Sequence, residues 1–127
     1  MSITTIVKRD FSKRPFEISK VTNAVLKAME SVNNGDLDSA NSISRNVYSE
    51  LESREKKIPN YIPSVEEIQD VVEQQLMKSQ FLDVAKSYIL YRNLQAEKRK
   101  RNLFEKRVNL KPYEYPELYE YVPAIRH

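Results

Sequence analysis

The sequence predicts an α+β fold: an N-terminal β-hairpin, then a bundle of four amphipathic helices, then an extended C-terminal tail. Three observations carry this prediction. Residues 3–9 (ITTIVKR) are β-branched and roughly alternating, the pattern of a short strand. Four later stretches repeat apolar residues at helical spacing, each bounded by capping or turn residues. From Val108 onward, Pro112, Pro116 and Pro123 sit among tyrosines and glutamates, and prolines at that spacing forbid a long helix.

Asp10-Phe11-Ser12-Lys13 reads as a tight connection, and Arg14-Pro15-Phe16-Glu17 as a short return strand whose donorless Pro15 belongs on an edge. The first helix spans Ile18 to Val32, with Val21, Val25, Leu26, Met29 and Val32 forming its apolar stripe. Ser19 is its expected N-cap, and Asn33-Asn34-Gly35 its end, with Gly35 suited to the left-handed position. Asp36 is expected to cap a second helix running to about Arg54, with Ala40, Ile43, Val47 and Leu51 at helical spacing. Lys56 to Pro63 is a loop or a short extended piece.

Ser64-Val65-Glu66-Glu67 has the form of a capping box, opening a third helix that buries Ile68, Val71, Val72 and Leu76. Ser79-Gln80 breaks that pattern. A fourth helix starts near Leu82 and is apolar on most sides through Tyr91, which predicts the central, most buried element of the bundle. Beyond Arg92 it turns polar and is expected to continue, exposed, to about Phe104.

Composition narrows the function. A chain of 127 residues has room for one domain and a modest core. The absence of Cys excludes disulfides, thiolate metal sites and cysteine nucleophiles. One Gly, Gly35, cannot build a Walker or dinucleotide phosphate loop, and one His, His127, leaves no catalytic triad and no histidine-rich metal site. No apolar run approaches the roughly 20 residues of a membrane span, and no signal-peptide pattern opens the chain, so a cytoplasmic setting is the default. No residue pattern supplies a catalytic site, and the chain reads as a binding module.

Two basic clusters stand out: Lys8, Arg9, Lys13, Arg14 and Lys20 near the hairpin, and the run at 98–107. Lys20 falls in the first turn of the first helix, where a cation opposes the helix dipole; that placement makes sense if an anion occupies the site. Taken alone, such a basic hairpin is more often solvated surface charge. Glu17 either accepts from a base or ribose or balances Arg14. Tyr88 and Arg92, four apart, share a helix face; Tyr88 and Tyr91 read as core tyrosines with wet hydroxyls, and Arg92 needs a phosphate or a carboxylate. The run at 98–107 offers an alternative reading, a nucleic-acid-binding module, although a solvated helix end is the commoner outcome and only Phe104 offers a stacking ring.

Three blocks then add up. Val7-Lys8-Arg9-Asp10, Phe16-Glu17 and Lys20-Val21 resemble the opening of the ATP-cone family, a V-x-K-R-D-G hairpin followed by an F-D/N-x-x-K-I helix start. Residues 64–73 (SVEEIQDVVE) resemble its T-V-E-E-I-Q-D-x-V-E segment, and residues 84–92 (VAKSYILYR) its V-A-K-A-Y-I-L-Y-R signature. The resemblance covers roughly residues 3–99 and implies a small sheet, up to three strands, over a four-helix bundle, with ATP or dATP between them. It implies the overall-activity switch of ribonucleotide reductase, with residues 1–104 as the regulatory domain, no catalysis of its own, and Mg2+ accompanying the nucleotide.

Carried over by motif, Val7, Lys8 and Arg9 meet the nucleotide, with Glu17 near the base and Lys20 on phosphate, and Arg14 and Phe16 count among the nucleotide-binding residues. Val65 and Gln69 line the same pocket, and Tyr88 and Arg92 face it from the last helix. Implied partners are the nucleotide, a second copy in a dATP-induced oligomer, and the catalytic subunit, but neither membrane nor nucleic acid. Two departures stand out: Phe11 replaces the usual turn glycine, and Val65 stands where a hydrogen-bonding Thr often sits. Residues 105–127 are expected to be a linker; from Tyr115 they resemble the start of a radical-generating small subunit, which would stop short of its metal-binding bundle.

Overall fold

A computed structural model of the protein describes residues 3–107, with side chains through residue 102. The expected extended tail and the resemblance at 115–127 lie outside the described residues. The order of elements is β1 (Thr5–Val7), β2 (Lys13–Pro15), α1 (Ile18–Ser31), α2 (Leu37–Lys57), α3 (Val65–Lys78) and α4 (Leu82–Arg107). Strands β1 and β2 are antiparallel, with Ile6 opposite Arg14. The third strand that the resemblance allowed is reduced to one parallel bridge between Val7 and Ser64, where Val7 N donates to the Pro63 carbonyl at 2.9 Å.

The tip of the hairpin explains how the chain does without a turn glycine. Phe11 N donates to the Lys8 carbonyl, and Lys8 N to the Ser12 carbonyl, which frames a three-residue loop over Arg9, Asp10 and Phe11. Such loops end on a left-handed residue, and Phe11 adopts that conformation itself, with φ 69°. The residue is 87% exposed, so its ring adds little to the core. The Asp10 carboxylate accepts from both Ser12 N (3.0 Å) and Ser12 Oγ (2.6 Å), which steadies the turn and lowers the Asp10 pKa.

The helices form a ring in chain order, α1 against α2, α2 against α3, α3 against α4, and α4 back against α1. The core comprises the expected stripes: Val21, Val25 and Met29 of α1, Ala40, Ile43, Val47 and Leu51 of α2, Ile68, Val71, Val72 and Leu76 of α3. Two hydroxyl pairs cross between helices, Thr22 with Ser44 at 2.6 Å and Ser31 with Ser87 at 2.5 Å.

Several boundaries differ from the sequence expectation. Glu17, not Ser19, is the N-cap of α1, and it supplies no side-chain cap. At the other end Asn33, not Gly35, takes the left-handed position (φ 58°), while no Gly has positive φ. Asn34 N reaches the Met29 carbonyl and Asn33 N the Glu30 carbonyl, which closes a Schellman motif two residues earlier than expected. Helix α3 ends the same way, on Gln80 (φ 64°), with Phe81 N on the Leu76 carbonyl. Asp36 is the N-cap of α2 but lends its carboxylate to Ser39 rather than to the backbone. Helix α2 runs three residues beyond Arg54, because Glu55, Lys56 and Lys57 favour helix until Pro59 forces Ile58 to be extended (φ −119°, ψ 117°).

The expectation that α4 is the most buried helix is overturned. Leu82, Leu90 and Leu94 are 63%, 56% and 54% exposed, on a face that no other described helix covers. The element sunk deepest is α3, whose Val65, Ile68, Val71 and Leu76 are fully buried. Apolar content alone could not tell a buried face from an exposed apolar one. Past Arg92, α4 is not uniformly exposed either, since Gln95 is buried and Lys98, Arg99 and Asn102 are half-buried.

Candidate functional site

The hairpin delivers Arg9 to the first turn of α3. The bridge at Ser64 fixes Val7 beside the helix start, and two residues on, Arg9 Nε meets Glu66 Oε2 at 2.7 Å. The start of α3 keeps half of the predicted capping box: Ser64 Oγ accepts from Glu67 N at 3.1 Å. The Glu67 carboxylate is taken by Arg54 and Tyr61.

Arg92 comes to the same face of α3 from α4. Its Nη1 donates to Asp70 Oδ1 at 2.8 Å and to Glu73 Oε2 at 2.7 Å, and its Nη2 to the Glu66 carbonyl at 3.3 Å. Of the two partners open to Arg92 in the sequence, carboxylates hold it here. Burial opposes its charge, but the hydrogen bonds to Glu73 and Asp70 prevail and raise its pKa.

Tyr88 lies one turn before Arg92 and is fully buried. Its hydroxyl has no hydrogen-bond partner, so the expectation of a wet tyrosine does not hold for Tyr88. Burial pushes its pKa well up, while the charges of Arg92, Glu73, Asp70 and Arg9 all reach it. The hydroxyl is therefore at the base of the arginine–carboxylate cluster. Buried hydroxyls almost always find a partner, and one without is either a strain reservoir or a donor kept for something else.

Helix α1 adds a second anion-favouring feature. It has no side-chain cap at its N-terminus and no acid in its first turn, where Lys20 sits half-buried. A helix start with no side-chain cap, no acid in its first turn and a lysine there suits a bound anion.

The structure thus brings Val7, Arg9, Val65, Tyr88 and Arg92 to one junction of hairpin, α3 and α4, with Gln69 buried on α3 beside Asp70. Lys8 is half-buried at the end of β1, Arg14 and Glu17 are exposed, and these lead into the first turn of α1. Phe16 goes elsewhere: it packs on Tyr48 of α2, ring centroids 5.8 Å apart, and lines a recess of about 460 Å³ with Ile3, Ile18 and Arg45. Glu66, Asp70 and Glu73 were not singled out from sequence as site residues. Their spacing of four and three on one helix face was the available signal. Of the basic run at 98–107, Lys100 and Arg101 are exposed on α4. Among the described residues, no group of His, Cys, Asp and Glu can hold a metal ion, and no helix is long and apolar enough to cross a membrane.

Comparison with known proteins then decides the family. Residues 4–97 match the domain family described as the ATP cone. The chain belongs to the ATP-cone family. Its relatives are ribonucleotide reductases. It is 50% identical over 95 residues to a vitamin B12-dependent ribonucleoside-diphosphate reductase of Thermoplasma acidophilum, covering 71% of this chain and 12% of that protein. It is 36% identical over 93 residues to an anaerobic ribonucleoside-triphosphate reductase of Haemophilus influenzae, covering 73% and 13%. It is 36% identical over 107 residues to a ribonucleoside-diphosphate reductase subunit alpha of Chlamydia pneumoniae, covering 77% and 10%. The chain spans about an eighth of the length of the curated relatives it matches, and the match is confined to this domain. An ATP cone of this kind is an allosteric, nucleotide-binding regulatory domain, and the hairpin over four helices is its fold.

Proposed function

We propose that this ATP cone senses ATP against dATP and sets the overall activity of a ribonucleotide reductase, ATP permitting turnover and dATP stopping it. The nucleotide's phosphates lie toward the hairpin cations and the start of α1, accompanied by Mg2+, with Lys8, Arg9 and Lys20 as phosphate ligands. Val7, Glu17, Val65 and Gln69 line the base and ribose, Arg14 borders them, and Tyr88 and Arg92 face the site from α4.

One observation carries this reading: guanidiniums from two separate elements, Arg9 and Arg92, converge over the buried, unpartnered Tyr88 hydroxyl. A buried donor beneath two cations awaits an acceptor-rich, anionic ligand. Titration calorimetry with ATP, dATP and GTP in the presence of Mg2+ tests it. Heat with both adenine nucleotides is expected; no heat with either ends the reading.

The dATP response is proposed to act through self-association, with a second copy of the domain and the catalytic subunit as partners in the cytoplasm. A nucleotide shifts assembly only if it binds the associated form better. The leucine row Leu82, Leu90 and Leu94 supports the idea, because an exposed apolar face of this kind suits a protein partner. The parent is proposed to be a radical-generating small subunit on the likeness of residues 115–127.

A further inference from the structure

The two arginines of the proposed site, Arg9 as a phosphate ligand and Arg92 facing it from α4, are held by the protein's own carboxylates. Glu66, Asp70 and Glu73 share one face of α3. Glu66 holds Arg9 at 2.7 Å, and Asp70 and Glu73 hold Arg92 at 2.8 and 2.7 Å. Two guanidiniums against three carboxylates leave this cluster with a formal charge of −1. A polyphosphate brings several more negative charges. It gains these arginines only when they turn from the carboxylates, and until then the acids repel it.

We propose that Glu66, Asp70 and Glu73 are internal competitors that stand in for the phosphates of the ligand and set the nucleotide concentration at which the domain responds. The inference rests on the nucleotide reading above and concerns the regulation of that same site. The carboxylate-bound form is the incompetent state. Apparent affinity falls by the fraction of protein able to bind, so stabilising the paired form weakens binding without touching any ligand contact. The stand-in is incomplete, for the Tyr88 hydroxyl below the cluster still has no partner.

A purely structural role predicts the opposite result. Asp70 and Glu66 are 57% and 48% exposed at their side chains, and ion pairs so exposed add little to stability. If their purpose were to fix the arginines for the ligand, neutralising them would weaken binding. If they compete, neutralising them strengthens it.

The experiment compares wild type with Glu66→Gln, Asp70→Asn, Glu73→Gln and the triple variant. Affinity for ATP, and separately for inorganic triphosphate, is measured by calorimetry at fixed Mg2+, with thermal melts of the nucleotide-free proteins. Each single variant is expected to bind ATP about threefold more tightly and the triple at least about tenfold. Inorganic triphosphate should show the same order, because the competition is for phosphate. Nucleotide-free melting temperatures should stay equal or fall, so that the gain in affinity comes without a gain in stability.

Unchanged or weaker binding by a cooperatively melting triple variant overturns the proposal. Should the triple fail to fold, Asp70→Asn decides by the same criterion, its carboxylate being the most exposed of the three. Wild-type binding with an unresponsive triple removes only the competitor role. No ATP binding by wild type removes the nucleotide reading and this proposal with it.

Discussion

On each of two sides, the carboxylates of helix α3 meet an arginine and a tyrosine from neighbouring elements, and the two clusters are not equivalent. Toward α2, Arg54 pairs with Glu50 at 3.0 Å and Glu67 at 2.7 Å, and the Tyr61 hydroxyl donates to the same Glu67 carboxylate. The hydrogen bonds to Glu67 hold the Arg54 pKa well up, and burial with the Glu67 bond does the same for Tyr61. This cluster ties the 58–63 loop to the start of α3. Toward α4, Arg92 pairs with Asp70 and Glu73, but the Tyr88 hydroxyl is buried without a partner. The same three side-chain types make a closed strut on one side and an arrangement one ligand short on the other. Residue type alone does not separate the two clusters; the unmet Tyr88 hydroxyl does.

The largest expected effect separates the two by stability. Arg54→Ala strands Glu67 and loosens the loop; with both side chains about a quarter exposed, the loss should be about 1–2 kcal/mol. Urea denaturation measures it, and ATP affinity should stay within about twofold. A comparable fall in affinity would mean that the strut is part of the site, and the distinction made here would fail.

Next in size is the double change Lys8→Ala with Arg9→Ala. It removes the hairpin's contribution to the open cluster and should weaken ATP binding at least tenfold, about 1.4 kcal/mol. Stability should shift by less than about 0.5 kcal/mol, as the Arg9–Glu66 pair is half solvated on the acid's side. Wild-type affinity in the double variant would take both residues out of the site.

The two tyrosines give the sharpest contrast. Tyr61→Phe loses a made hydrogen bond and should cost about 1 kcal/mol. Tyr88→Phe loses an unmade one, so stability should hold or rise by up to about 1 kcal/mol, while ATP affinity falls severalfold. Their pH dependence follows from the same burial. Both pKa values are raised above the ordinary 10 in the folded state. Each therefore supports the fold fully below that pH and ceases to do so as pH climbs beyond it, where the unfolded chain ionises first. Tyr88→Phe should flatten the alkaline loss of stability. A full alkaline loss in that variant would show that Tyr88 is not the neutral buried group described.

Much of this was legible in the sequence, and the misses have physical causes. Helix number, order and core stripes follow from apolar spacing, which is a local property. Helix ends were less legible, because Asn33 took the left-handed position that Gly35 was expected to fill, Gln80 took another with no glycine to signal it, and Glu17 replaced Ser19 at a cap. The exposed leucines of α4 escaped notice because apolar content does not say which face a neighbour covers. Arg9, Tyr88 and Arg92 were named by motif, yet their convergence depends on a bridge between Val7 and Ser64 across more than fifty residues. For the same reason Glu66 was read only as part of a capping box and Asp70 and Glu73 were not read as site residues: their partners come from the hairpin and from α4.

The smallest effect concerns how the hairpin delivers Arg9 to the open cluster, a dependence the closed cluster does not share. Phe11 holds φ 69° two residues beyond Arg9. A left-handed conformation costs a non-glycine residue about 1–2 kcal/mol, and glycine forfeits part of that gain through its freer unfolded chain. With an 87% exposed ring there is almost no burial to lose. Phe11→Gly should therefore stabilise the domain by about 0.5 kcal/mol in urea titration. ATP affinity should be unchanged, because the Asp10–Ser12 hydrogen bonds still define the turn. Lower affinity with higher stability would show that the strained phenylalanine, rather than the turn's hydrogen bonds, aims Arg9, and would make the tip itself part of the open cluster.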